Sequence, residues 1–133
     1  MKYLIYHHIS IDKFLAYKII LNKIEPYLID LLVKEKFYPN RGAEDADALA
    51  INFNTSKDGF LGNISLIFND NVLSPSFDLG VIKTFDINSE RKFKRKIINS
   101  GIRIEDVEKN YKQYFIEVVK IYNSISKAEL TDS

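Results

Sequence analysis

Three short stretches of the chain hold residue types that could do chemistry. The first is Tyr6-His7-His8, which contains both histidines of the protein. Histidine titrates near neutral pH and ligates metals, so either residue could serve as an acid, a base or a ligand. On a strand, however, neighbouring side chains point to opposite faces, so the pair cannot hold one ion without a bend. No His-x-His or His-x-x-x-His spacing exists. The favoured reading is a structural strand end, with a lone catalytic His8 at a strand-to-helix junction as the alternative.

The second stretch is acidic: Glu44, Asp45 and Asp47. A calcium loop needs oxygen ligands at fixed positions, a central glycine and a closing glutamate, and that spacing is absent. The cluster reads as a solvated loop or as a patch that docks on a basic partner, where charge complementarity speeds association. The third stretch is basic: Arg91, Lys92, Lys94, Arg95 and Lys96. Residues 88–103 carry six cations and one acid, whereas residues 1–87 carry nine cations and eleven acids. Such a cluster could contact phosphates. If it lies on a short helix with Phe93 turned inward, its cations spread over several directions, which favours a solvated or partner-facing helix over nucleic acid. Residues 99–106 resemble a helix-turn-helix corner, but Glu105, Asp106 and Glu108 would repel DNA.

Catalytic templates are missing. The chain has no G-x-S-x-G, no phosphate loop and no G-x-G-x-x-G. A nuclease-like core would place an acid two residues before a strand lysine, but Val81 precedes Lys83. With no cysteine there is no disulfide framework, thiol nucleophile or Cys-ligated metal. The expectation is a binding protein with no catalytic residues, no metal and no cofactor.

The elements that would position these stretches follow from periodicity. Residues 2–8 read as a strand apolar on both faces. Ser10 is a good N-cap, and the apolar positions from Ile11 to Ile24 describe a helix. Pro26 should kink or restart it before Tyr27, Leu28, Leu31 and Leu32 resume the pattern. The Pro, Asn and Gly of residues 38–47 read as a loop. Strands are expected over 48–54, 60–68 and 77–87, the first two joined by a turn at Asp58-Gly59. Ser89 should cap a helix over 90–99, stopped by Ser100-Gly101. A second helix over 104–125 has Ile104, Val107, Tyr111, Phe115, Val118, Tyr122 and Ile125 on one face. The tail 126–133 should fray. The predicted fold is α+β: a single domain over 1–133, an antiparallel β-meander packed against N-terminal and C-terminal helices, in the order β-α(α)-β-β-β-α-α.

The composition fits one folded domain. Of 133 residues, 46% are hydrophobic and 28% charged, with only five Gly and three Pro, so collagen-like and disordered chains are excluded. The apolar start is too short for a signal peptide, and the longest apolar stretch is broken by charges. A cytoplasmic protein with no membrane segment is expected. The net charge of +1 argues against a global attraction to nucleic acid or membrane and leaves the two local patches.

A short single domain without cysteine or catalytic signature, in a helix-plus-meander layout, resembles the small immunity proteins encoded beside bacterial toxins. Those of contact-dependent growth inhibition are included. The resemblance spans the whole chain and carries over no individual residue. It implies a non-enzymatic inhibitor that binds and neutralises one cognate toxin domain. Charge would then act locally, through Glu44, Asp45 and Asp47 or through the cations of 91–96. A small nucleic-acid-acting protein, a nuclease or DNA-binding regulator using that basic cluster, is the rival expectation.

Overall fold

In the computed structural model, residues 9–40, 48–70, 75–87 and 90–130 are described. The expected strand at 2–8, with both histidines, lies outside them, as does the acidic loop Glu44, Asp45 and Asp47.

Helix α1 spans Ile11–Val33, and the Ser10 hydroxyl accepts the Lys13 amide at 3.2 Å as its N-cap. The helix runs through Pro26 without restarting, contrary to the expected break. Proline removes the bond to the carbonyl four residues back, but both Pro26 and Asn22 face solvent, so water can satisfy that carbonyl. At the C-terminal end Lys36 adopts φ 64°, and the Phe37 amide donates to the Leu32 carbonyl at 3.0 Å. That closure turns the chain so that Phe37 is buried.

Among the described residues five strands form one antiparallel sheet in sequence order: β1 Tyr38–Pro39, β2 Ala50–Thr55, β3 Leu61–Asn69, β4 Ser76–Ile87 and β5 Glu90–Ile102. The α+β class and the meander are as the periodicity predicts. The turn after β2 places Asp58 and Gly59 at φ 59° and 81°, the left-handed geometry an Asp-Gly pair tolerates.

Residues 90–99 are a correction. They form most of β5 instead of a helix. Phe93, Ile97 and Ile98 mimic a helical face, but β4 offers an open edge, and pairing begins at Ile87↔Glu90 across a two-residue connection. The register slips between Leu79↔Asn99 and Phe77↔Ile102, and Gly101 takes φ 69° in this bulged end. Gly101 therefore bends a strand instead of stopping a helix.

Helix α2 spans Ile104–Ser124, matching the predicted span to within a residue. The tail departs from expectation: Lys127–Leu130 forms a helical turn, α3, that buries Leu130.

Side chains alternate strictly along the central strands. Ile51, Phe53, Ile64, Leu66, Phe68, Phe77, Leu79 and Val81 face one way and are buried. The helices cover that face, with Phe115 of α2 edge-on to Phe53 and Tyr17 of α1 against Phe68 and Phe77. Among the described residues this is a two-layer arrangement of helices on one side of an antiparallel sheet, with the sheet's other side left open.

Candidate partner-binding face

The open side of the sheet is built in rows set by the strand register. Leu61, Thr84 and Phe93 form one row, and Asn63, Ile82 and Arg95 the next. Ser65, Gly80 and Ile97 follow, then Ile67 and Asp78. Four large apolar side chains here are strongly exposed: Leu61 52%, Ile67 47%, Phe93 49% and Ile97 58%. Scattered exposed hydrophobes are ordinary, but a set sharing one sheet face marks an interaction surface more often than chance. The face is not flat. A shallow depression of about 270 Å³ lies over Ser65 and Gly80 between Ile67 and Ile97. A second, of about 300 Å³, lies among Leu61, Asn63, Ile82 and Thr84.

Strand geometry redistributes the basic cluster. Arg91 and Arg95 pair across from Asp86 and Ile82 and share the open face. Lys92, Lys94 and Lys96 pair across from Phe85, Lys83 and Val81 and project on the helix side. Phe93 is therefore not turned inward; it stands between the two arginines on the open face. Arg91 binds Asp86 at 3.2 Å in an exposed pair and half-buried Lys92 binds exposed Glu90 at 3.2 Å, both of small energetic value. Among the described residues Lys94, Arg95 and Lys96 form no ion pair.

A cleft of about 820 Å³ lies at the opposite strand end, where Lys13, Tyr17, Asn69, Asp78, Arg103 and Glu105 contribute to its wall. Its central carboxylate is committed. Asp78 accepts the Gly101 amide at 3.3 Å and the Asn69 side-chain amide at 3.2 Å, so it pins the bulge of β5.

On the helix side is a cluster that the sequence search did not single out. Lys83 is only 6% exposed, and its ammonium donates to the carbonyls of Tyr122 at 3.2 Å and Ile125 at 2.9 Å. The Tyr122 carbonyl, in the last turn of α2, also accepts the Ile125 amide at 3.2 Å, and Ile125 is the C-cap residue, so Lys83 caps that helix from the sheet. The ammonium also sits 4.4 Å from the Phe60 ring centre and 4.6 Å from that of Tyr122. Burial pushes the Lys83 pKa below its usual value; Lys57 adds to the shift, and Asp58 and Glu129 oppose it. A desolvated lysine can be a nucleophile, but this one is enclosed by rings and carbonyls, and its geometry is that of a cap. The Tyr122 hydroxyl is buried without a hydrogen-bond partner among the described residues. Burial, with a smaller contribution from Asp58, raises its pKa to about 12. The signal for Lys83 was present in the sequence, because it continues the alternation Phe77, Leu79, Val81 onto the buried face.

Among the described residues no helix is long and apolar enough to cross a membrane, and no three His, Cys, Asp or Glu side chains lie together. No protein-family model, curated protein or solved structure matches this chain.

Proposed function

We propose that this protein is a non-enzymatic protein-binding module, an immunity-type inhibitor that binds and neutralises a cognate bacterial toxin domain in the cytoplasm. One observation carries the reading: Leu61, Ile67, Phe93 and Ile97 are held in solvent on the sheet face that no described helix covers. Covering these side chains would remove apolar surface from water at about 25 cal/mol per Å² before the costs of association. Arg91 and Arg95 at the margin supply the charged rim that interfaces use for orientation and on-rate. The acidic residues Glu44, Asp45 and Asp47 supply a second, oppositely charged docking element.

The test is reconstitution with the product of the adjacent gene. A stable complex that abolishes a toxin activity supports the reading. An adjacent gene that encodes no toxin, or a toxin that neither binds nor is inhibited, sinks it.

The placement of Arg91, Phe93 and Arg95 on one face favours a second reading, nucleic-acid binding, in which Phe93 stacks on a base and the arginines meet phosphates. A salt titration separates the two, since phosphate contacts lose affinity steeply as salt rises.

A further inference from the structure

The two edges of the sheet differ in a way that selects what can be added to them. Edge strand β1 is two residues long and contains Pro39, which has no amide to donate. Edge strand β5 is thirteen residues long, and among the described residues it pairs only with β4. Its C-terminal part is bulged from Ile98 to Gly101, which spoils pairing there. The part from Glu90 to Ile97 is in regular register with Ile87 to Gly80. In an antiparallel pair every second residue turns its amide and carbonyl away from the neighbour. Among the described residues, the regular part of β5 therefore presents an ordered row of free donors and acceptors.

All five clustered cations lie on this regular part, and strand parity divides them between the two faces of one edge. A ligand lying on the open face reaches Arg91 and Arg95 alone. A ligand on the helix side reaches Lys92, Lys94 and Lys96 alone. Only an extended chain added along the edge, with its own side chains alternating up and down, meets all five.

Resting on the protein-binding reading above, we infer that the Glu90–Ile97 edge of β5 accepts an acidic extended segment of the protein partner as an added strand. The pattern of the segment follows from the edge. Apolar residues stand opposite Phe93 and Ile97, and acids stand opposite Arg91, Lys92, Lys94, Arg95 and Lys96. A second copy of β5 is disfavoured, because pairing over the basic region sets like charges against each other. Charged edges also serve to repel stray strands, and that simpler role gives a different experimental outcome.

The probe is a blocked heptapeptide with valine opposite Ile97 and Phe93 and glutamate at the other five positions, titrated into the full-length labelled protein. The controls are the same peptide with lysine for glutamate, and a ten-residue oligothymidylate. The expected result is binding of the acidic peptide alone, with alternate amides of Glu90–Ile97 newly protected from hydrogen exchange. Affinity should fall about threefold for Arg95→Gln on one face and also about threefold for Lys94→Gln on the other. Loss through one face only, or tighter binding of the oligothymidylate than of the peptide, overturns the proposal in favour of face-on binding. Protection of the outward amides before peptide is added shows that the edge is already occupied, and also overturns it. So does an edge that takes no peptide while the neutralised variants self-associate, because the cations then only repel strands. If the peptide adds to β5 but no toxin partner exists, the inference stands and the inhibitor reading fails. A toxin that binds without protecting β5 gives the reverse.

Discussion

The Tyr122 ring lies against the backbone of Gly62, so close that a Cβ at position 62 would overlap the ring and its hydroxyl. Gly62 occupies the inward phase of β3 that Ile64, Leu66 and Phe68 continue, and its missing side chain makes the space α2 needs to reach the sheet. Gly62→Ala should destabilise the protein by about 1–3 kcal/mol, the usual cost of overpacking. Denaturant unfolding measures it. Tyr122→Phe removes the atom nearest the added methyl, so the double variant should lose less than the sum of the two single effects.

The buried Tyr122 hydroxyl, without a partner among the described residues, gives a stability signature at alkaline pH. Its pKa in the fold is about 12, raised from 10.0, so the folded protein keeps this proton where the unfolded chain releases it. Its contribution is complete below pH 10.0 and is lost as pH rises from there toward 12. Across that window the wild type should lose on the order of 2 kcal/mol more than Tyr122→Phe. Equal slopes for the two proteins would refute the assignment. Near neutral pH, Tyr122→Phe should be neutral or slightly stabilising, because it removes a buried polar atom that has no partner.

Lys83 acts in the opposite sense. Its pKa is lowered, so as pH approaches 10.5 the unfolded chain still holds the proton that the folded protein has released, and stability attributable to this group rises with pH. Lys83→Met keeps the bulk but takes the ammonium donor away from both carbonyls, leaving that of Tyr122 with the Ile125 amide alone. It should cost about 1–3 kcal/mol at neutral pH. The deficit relative to wild type should widen between neutral pH and 10.5, as read from paired denaturation curves.

Lys36 holds a left-handed conformation, φ 64°, that glycine adopts without penalty. The residue is exposed, so replacement removes no packing. Lys36→Gly should raise stability by up to about 1 kcal/mol, seen as a higher unfolding midpoint with an unchanged denaturant slope. A lower midpoint would mean that the lysine side chain contributes something its exposure hides.

The parts of this fold that were legible in the sequence are those whose pattern is local. Leu49, Ile51 and Phe53, the run Ile64, Leu66 and Phe68, and the apolar positions of α2 from Ile104 to Tyr122 each declare their period without help from distant residues. Strand β5 does not. As an edge strand it is wet on both faces, so no two-residue alternation survives, and the bulge at 98–101 disturbs what remains. Lysine and arginine are good helix formers, and Phe93, Ile97 and Ile98 imitate a helical stripe. What settles the matter is the long neighbour β4, and that pairing is invisible to a local reading. The same error concealed the face of the site, because a helix would have turned Phe93 inward. For Lys83 and Tyr122 the alternation and the helical phase place each residue inward, but nothing local says that the lysine caps the helix carrying the tyrosine.

Ile97 and Ile64 separate the two roles that apolar residues play in this sheet. Ile64 is fully buried under the helices, and Ile64→Ala should cost about 2–5 kcal/mol by leaving a cavity. Ile97 is 58% exposed, lying over Gly80 on the open face, and Ile97→Ser should change stability by no more than about 0.5 kcal/mol. If the open face is the interface, the same Ile97→Ser change should weaken the complex with the cognate partner about tenfold or more, as a centrally placed anchor does. Thermal unfolding and a binding titration on the one variant supply both numbers. A variant that binds as tightly as wild type would move the interface off this face, and one that unfolds early would show that Ile97 belongs to the core.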